Sequence, residues 1–205
     1  MLNLAIFASG KGSNFRAIHA AAHNAQLDAR IILLVSDKEE SGAVAYAGAM
    51  NIPIHVTSAS ERNTSSYGAD LTSLLARFSV DHIALCGYLK LLPSDVVRAF
   101  PNRIVNIHPA LLPSFGGKGM YGMRVHEAVL ASGAKFSGPT VHIVTEEYDR
   151  GPIVAQRIVP VLDTDTPASL AARVLKEELV LYPSVLQDFA HGRITVHGQR
   201  TFRSE

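Results

Sequence analysis

The chain has 205 residues, a formal net charge of +1 at pH 7 and 47% hydrophobic residues. This length is enough for one well-packed α/β domain but short for two, so we expect a single domain over residues 1–205. No dense run of lysine and arginine with interleaved aromatic residues occurs, which argues against a nucleic-acid partner. No stretch approaches the roughly 20 apolar residues that cross a bilayer, so we expect no membrane partner.

Cysteine usage and the amino terminus both favour the cytoplasm. Cys86 is the single cysteine, so no intramolecular disulfide can form. The amino terminus runs directly into an apolar strand, without the charged region, long apolar core and cleavage site of a secretory signal. We therefore expect a cytoplasmic protein.

The first motif is a strand, a glycine turn and a helix. The apolar run from Leu2 to Ala8 leads into Ser9-Gly10-Lys11-Gly12-Ser13-Asn14, and Phe15 and Ile18 continue at helical spacing. Such a turn directs backbone N–H groups and the positive end of a helix dipole at a ligand such as phosphate. Because Phe15 replaces the third glycine of the dinucleotide fingerprint and P-loop spacing is absent, a mononucleotide or sugar phosphate fits better than NAD or ATP. A plain tight turn is the alternative reading.

Strands and helices then alternate through the first half of the chain. The predicted strands are Ile31 to Val35, Ile54 to Val56 and Ile83 to Cys86, the predicted helices are Gly42 to Met50 and Tyr67 to Phe78, and residues 58–66 are predicted as a flexible loop. The segment from Tyr88 to Pro93 is an unusually apolar loop. Such a loop at the ligand edge of a sheet suits a flat ring, and a loop packed under the next helix is equally consistent.

The run from Ile104 to Pro113 has the pattern of a buried strand that ends on two polar side chains. Asn106 and His108 are two residues apart, so both project from the same face of the sheet. Pro109 stops the strand and places His108 at its carboxyl end, where ligands bind in open α/β sheets. An amide donor beside an imidazole suits a carbonyl oxygen that becomes an oxyanion. Ordinary hydrogen bonding at a strand end is the alternative.

The residue pattern in the second half of the chain predicts further strands and one long helix. These elements are a glycine-rich loop at 116–122, a short helix through His126, strands at Phe136 to Val144 and Ile153 to Val161, a helix from Thr166 to Phe189 with Leu170, Val174, Leu175 and Leu179 inward, and a strand at Arg193 to Val196 with a polar end. Thr140 and His142 share one face of their strand. In the acidic loop 145–151, Asp149 is the candidate for an inward role.

The alternation predicts an α/β fold with a Rossmann-like, open and mostly parallel sheet and helices on both faces. His19 and His23 have metal-ligand spacing on a helix but no third ligand is indicated, so we expect surface residues and no metal site.

Four motifs together carry a resemblance to a known family. In order, Gly10-Lys11-Gly12-Ser13-Asn14, Asn106-Ile107-His108-Pro109, Gly138-Pro139-Thr140-Val141-His142 and Asp149-Arg150-Gly151 closely resemble the phosphoribosylglycinamide formyltransferases over nearly the full length. The resemblance implies the formyltransferase fold. It also implies transfer of a formyl group from 10-formyltetrahydrofolate to the amine of glycinamide ribonucleotide in purine synthesis, with no metal.

The same resemblance implies roles for individual residues. The catalytic trio matches Asn106, His108 and Asp149. The ribonucleotide site matches Gly12, Ser13 and Asn14 for the phosphate and Glu178 for the glycinamide, and the folate pocket matches Leu89, Lys90, Leu91 and Leu92 together with Asn106. The amino-terminal half would bind the phosphate, and the carboxyl-terminal half would complete the folate pocket and supply the catalytic loop.

One departure from the family concerns the region of Thr64. Relatives can carry a basic residue there that meets the cofactor, whereas this chain reads Asn63-Thr64-Ser65-Ser66-Tyr67. The catalytic residues are all present, and we expect Asp149 to hold His108 in its charged form and to help take the proton that leaves the amine.

Three alternatives stay open at this point. Formyltetrahydrofolate hydrolase resembles this domain but usually carries an additional amino-terminal domain, for which a strand at Leu2 leaves no room. The catalytic domain of methionyl-tRNA formyltransferase is followed by a basic tRNA-binding domain, whereas this chain ends at Glu205. A non-catalytic nucleotide-binding module would make the trio accidental. We expect a monomer or a homodimer.

Overall fold

The computed structural model describes residues 1–204. These residues divide into two compact units, one up to Val105 and one from Asn106 onward. Each unit has its own set of strands and helices.

The first unit is a parallel α/β unit. Its strands are β1 (Leu2–Phe7), β2 (Ala29–Ser36), β3 (Ile54–Val56) and β4 (His82–Leu85), and its helices are α1 (Ser13–His23), α2 (Gly42–Ala49), α3 (Ala59–Arg62), α4 (Tyr67–Arg77) and α5 (Ser94–Ala99). The strands lie in the order β4-β1-β2-β3, and every pair among them is parallel. From Leu4 to Phe7 every side chain of β1 is fully buried. This explains the continuous apolar run, because a central parallel strand is covered on both faces.

Strand β5 (Ile104–His108) crosses the boundary between the units, and the second unit follows it. The remaining elements are α6 (Met123–Ala131), β6 (Phe136–Ser137), β7 (Thr140–Ile143), β8 (Ile153–Gln156), β9 (Val159–Pro160), α7 (Pro167–Ala190), β10 (Ile194–His197) and β11 (Arg200–Arg203). Strands β7 and β8 are antiparallel, β8 and β11 are parallel, and β10 and β11 form an antiparallel pair. Strands β6 and β9 form a separate antiparallel pair. Buried side chains from α6, α7 and β9 pack into one hydrophobic cluster.

The predicted α/β fold with a mostly parallel sheet is confirmed, and the structure corrects several element boundaries. The strand expected from Phe136 to Val144 is interrupted at Gly138, because this residue has φ 141° and a Cβ there would lie 1.8 Å from the carbonyl oxygen of Arg157. The strand expected from Ile153 to Val161 is likewise two strands, β8 and β9.

Two polar segments contain structure that the sequence analysis missed. The predicted loop 58–66 includes α3, which begins with a capping box formed by Ser58 and Glu61. The polar carboxyl end forms β11 and closes a hairpin with β10.

The long helix α7 begins as predicted, with Thr166 as its capping residue. Its buried face differs from the prediction. Leu175 and Leu179 are half-buried, whereas Glu178 between them is buried. None of the helices within residues 1–204 is long and apolar enough to cross a membrane.

Candidate active site

His108 is held at the end of β5 by a backbone carbonyl. Its Nε2 lies 2.9 Å from the carbonyl oxygen of Phe115. A carbonyl can only accept a hydrogen bond, so Nε2 carries a proton and donates it. The other ring nitrogen, Nδ1, lies 3.6 Å from Oδ2 of Asp149. The backbone at Phe115 therefore selects the His108 tautomer and leaves Nδ1 directed at the carboxylate.

Asp149 reaches this position through an unusual backbone conformation and a close approach. Its φ is 55°, in the left-handed region that few non-glycine residues adopt. Its Oδ2 accepts a hydrogen bond of 2.9 Å from the N–H of Gly117, and its Oδ1 lies 3.5 Å from Nε2 of His142. A Cβ on Gly116 would lie 3.1 Å from the Cβ of Asp149, so the glycine-rich loop is needed for this packing.

Asn106 joins the same cluster through His142. Nδ1 of His142 lies 2.8 Å from the carbonyl oxygen of Ile143 and donates to it. Neutral His142 then presents a lone pair at Nε2, which accepts a hydrogen bond of 3.1 Å from Nδ2 of Asn106. Because the amide carries two N–H groups, one is left for a further acceptor. The predicted trio is thus brought together, with His142 as a fourth member.

Burial dominates the protonation of His108. His108 is 3% exposed, and burial lowers the pKa of its ring below the ordinary value, while Asp149 and the Phe115 carbonyl oppose this shift and His142 adds to it. The expectation that Asp149 holds His108 in its charged form is therefore wrong at neutral pH. Burial also raises the pKa of Asp149, but the nearby rings of His142 and His108 and the hydrogen bond from the Gly117 N–H outweigh it, so its net pKa is lowered.

Three groups at this site were missed by the sequence analysis. The Phe115 carbonyl and the Gly117 N–H are backbone groups, for which a sequence gives no signal. The third is His126 on α6, which is 5% exposed and whose Nδ1 has no hydrogen-bond partner among the described residues. Burial lowers the pKa of His126, and repulsion from His108 lowers it further.

The predicted phosphate turn lies in the first unit. Gly12 has φ 77° and is the capping residue of α1, whose first turn contains Ser13 and Asn14. A Cβ on Gly12 would lie 3.1 Å from the Cα of Ala43, so the turn packs closely against α2. The helix begins at this turn as predicted, and its amino-terminal end carries the positive end of the helix dipole.

The predicted folate loop is linked to this turn within the same unit. The N–H of Leu89 donates a hydrogen bond of 3.2 Å to Oγ of Ser9. Leu89 and Leu91 are 43% and 48% exposed, whereas Leu92 is buried. Lys90 is exposed, with Nζ 4.0 Å from Oδ2 of Asp37. Leu89, Lys90 and Leu91 are thus accessible to a ligand, and Leu92 packs inward.

The two remaining positions lie on α7 and just after α3. Glu178 is buried on α7 in the second unit. Thr64 is exposed and donates a hydrogen bond of 2.8 Å to the carbonyl oxygen of Glu61 at the end of α3. Within residues 1–204, no group of three or more histidine, cysteine or acidic side chains is arranged to hold a metal ion.

Comparison with known proteins gives consistent matches. The sequence profile of the formyl transferase family matches residues 2–186. A chloroplastic phosphoribosylglycinamide formyltransferase from Vigna unguiculata is 51% identical over 192 residues, which cover 93% of this chain and 62% of that protein. The phosphoribosylglycinamide formyltransferase of Bacillus subtilis (strain 168) is 36% identical over 188 residues, covering 91% of this chain and 94% of the relative.

A solved structure extends the match to three dimensions. Glycinamide ribonucleotide transformylase 1 from Symbiobacterium toebii is 33% identical and superimposes with a TM-score of 0.93, covering 100% of this chain and 95% of that one. The chain spans less than two thirds of the length of the Vigna relative but nearly all of the Bacillus protein.

Replacing Asp149 tests the electrostatics of this cluster. Because the negative charge of Asp149 raises the pKa of His108 against burial, Asp149→Asn should lower that pKa further. In the wild type, the pKa of His108 should lie below its ordinary value of 6.5. The folded protein therefore loses stability as the pH falls below 6.5, because the unfolded chain binds the proton more readily. The variant should lose more stability over this acidic range. Titration of the assigned His108 ring by NMR measures both values, and an unchanged or higher pKa in the variant would contradict the assignment.

Proposed function

The chain belongs to the formyl transferase family, and we propose that it is a folate-dependent phosphoribosylglycinamide formyltransferase. It transfers the formyl group of 10-formyltetrahydrofolate to the amine of glycinamide ribonucleotide, giving formylglycinamide ribonucleotide and tetrahydrofolate in purine synthesis. The single observation that carries the proposal is the cluster in which Asp149 lies beside His108 and His142, and Asn106 donates a hydrogen bond to His142.

Asn106 and His108 suit the charge that develops in this reaction. The amine adds to the formyl carbon, a C–N bond forms, and the carbonyl electron pair moves onto the oxygen. Asn106 has one N–H group beyond the one that it donates to His142, and this group is available to the oxyanion. Donors fixed in a buried site stabilise such a charge strongly, because little reorganisation accompanies the reaction.

His108 and Asp149 provide a path for the proton. His108 is neutral before the reaction, so its Nδ1 takes up the proton that the amine releases, and Asp149 stabilises the resulting imidazolium. Burial disfavours this cation and makes it a stronger acid, which then supplies a proton to the departing folate nitrogen. The C–N bond of the donor breaks in this step, and His108 returns to its neutral form.

The remaining predicted residues supply the binding contacts. We propose that the turn of Gly12, Ser13 and Asn14 binds the ribonucleotide phosphate through the amino-terminal end of α1. Glu178 binds the glycinamide part. The exposed Leu89 and Leu91, with Lys90 and Leu92, bind the folate.

We extend the proposal to the organisation of the chain. Residues 1–205 form one formyltransferase domain whose amino-terminal half binds phosphate and whose carboxyl-terminal half completes the folate pocket and supplies the catalytic loop. A cytoplasmic location stays a prediction, since the Vigna relative is chloroplastic. A monomeric or homodimeric state and the absence of a nucleic-acid partner also stay predictions.

Dependence on the acceptor distinguishes a transferase from a hydrolase that uses water instead of an amine. Release of tetrahydrofolate by the purified protein should require glycinamide ribonucleotide, because the reactive nitrogen comes from that substrate. Absorbance of the folate product, followed with and without the ribonucleotide, measures the dependence. Equal rates of release with and without the ribonucleotide would show that the protein is a hydrolase and not a transferase.

Substitution of Gly12 tests the phosphate turn. Gly12→Val places a branched side chain where a Cβ already approaches Ala43 at 3.1 Å, and should block close approach of the phosphate to the backbone. We expect KM for glycinamide ribonucleotide to rise on the order of tenfold or more, with KM for the folate changed little.

The matched control is Gly133→Val. Gly133 has a similar φ of 73°, and no heavy atom lies within 4 Å of the place that a Cβ would take, so a valine there carries the same backbone strain outside the turn. The control should leave both KM values near wild type. Equal increases for both substrates in Gly12→Val would remove the phosphate assignment.

A further inference from the structure

One buried hydroxyl contacts the segment between His108 and Asp149 and has no part in the chemistry described above. Thr140 is fully buried on β7. Its Oγ1 donates a hydrogen bond of 2.6 Å to the carbonyl oxygen of Ala110 and accepts one of 3.0 Å from the N–H of Leu112. Nε2 of Gln156 on β8 donates to the same oxygen at 2.9 Å and to the Leu112 carbonyl at 3.0 Å.

These four hydrogen bonds, which we call the Thr140 network, use the full capacity of the hydroxyl. A threonine oxygen has one proton to donate and two lone pairs, and all three are occupied here. The network fixes three backbone groups of Ala110 and Leu112 to the side chains of β7 and β8. Removing the hydroxyl leaves a buried N–H and a buried carbonyl unpaired, and each such group costs about 1–3 kcal/mol.

The segment held by the network determines how His108 is oriented. Phe115 follows Leu112 after a short turn closed by the bond from the Ser114 N–H to the Leu111 carbonyl, which is 3.1 Å long. The carbonyl of Phe115 accepts the Nε2 proton of His108, so the position of this carbonyl selects the His108 tautomer. Phe115 has a φ of 56°, a conformation that a non-glycine residue keeps only where its surroundings hold it.

The same segment also determines the position of Asp149. A Cβ on Gly116 would lie 2.5 Å from Cδ2 of Leu112 and 3.1 Å from Cβ of Asp149, so these three residues pack without a gap. The next residue, Gly117, donates its N–H to Asp149. Displacement of Leu112 would therefore disturb a donor to Asp149 and an acceptor for His108 together.

We propose that Thr140, supported by Gln156, is a positioning residue for formyl transfer: it holds the 110–117 segment so that His108 keeps its Nε2–H tautomer with Nδ1 directed at Asp149. Thr140 acts through the backbone and does not touch the reacting atoms. The activity part of this inference rests on the proposed function, whereas the tautomer part does not.

Four variants separate positioning from simple packing. Thr140→Val keeps the shape of the side chain and removes the hydroxyl, and Thr140→Ser restores the hydroxyl. Thr201→Val is the matched control, because the Thr201 hydroxyl also donates to a backbone carbonyl of the second unit, that of Ile153, at 2.8 Å. The Thr201→Val variant leaves the Thr140 network intact. Gln156→Ala is a milder variant, since Gln156 is exposed at the surface.

The first measurement is NMR of the His108 ring nitrogens in the protein without substrate, assigned by comparison with His108→Gln. Thr140→Val should lose the pure Nε2–H signature and populate the other tautomer, and Thr140→Ser and Thr201→Val should keep the wild-type signature. Gln156→Ala should give a smaller change in the same direction, and it supplies the answer if Thr140→Val does not fold. An unchanged tautomer in both Thr140→Val and Gln156→Ala would overturn the proposal.

The second measurement is steady-state formyl transfer. In Thr140→Val, kcat should fall on the order of tenfold to a hundredfold with both KM values near wild type, because a misplaced catalytic group lowers the rate rather than the binding. A normal kcat in a Thr140→Val protein with reduced thermal stability would make Thr140 a packing residue only. If the wild type itself transfers no formyl group, the proposed function fails, and the NMR result still decides the positioning role.

Discussion

The carboxylate of Asp149, only 11% exposed between the imidazoles of His108 and His142, is the constraint on which the second unit depends. An ionised carboxylate removed from water costs several kcal/mol unless its oxygens are paired. Here Oδ2 accepts a hydrogen bond from the Gly117 N–H, and Nδ1 of His108 and Nε2 of His142 lie within 3.6 Å of the carboxylate, which faces a proton that either nitrogen takes up. The left-handed φ of Asp149 and the glycines at 116 and 117 follow from this requirement, because only such a backbone brings the loop close to the carboxylate.

Burial and charge act in opposite directions on His108, and their balance fits the proposed chemistry. Burial favours the neutral ring, whereas Asp149 favours the charged one. A ring that is neutral at rest can accept a proton, and a nearby carboxylate reduces the cost of holding it briefly. A permanently charged His108, as we expected from the sequence, would have no capacity for the proton of the amine.

Much of this site could be predicted from the sequence, for identifiable physical reasons. A strand has a period of two residues and Pro109 ends it, so Asn106 and His108 had to share a face at the carboxyl end of β5. The glycine turn before α1 could also be predicted from the sequence. The interruption at Gly138 was not, because it depends on the approach of a carbonyl from Arg157, which is remote in sequence. The Phe115 carbonyl, which selects the His108 tautomer, has no signal in a sequence either, because every residue type carries the same backbone group.

The most direct test of the account is the rate of formyl transfer in Asp149→Asn, with Asp163→Asn as the control. The side chain of Asp163 is 93% exposed and forms a surface ion pair with Lys135. Asp163→Asn therefore removes the same charge as Asp149→Asn, but at the surface. We predict that kcat falls on the order of a hundredfold or more in Asp149→Asn, with KM for the ribonucleotide changed little, and stays at the wild-type value in Asp163→Asn. A wild-type kcat in Asp149→Asn would contradict the account, because it would leave Asp149 without a part in the proton transfer.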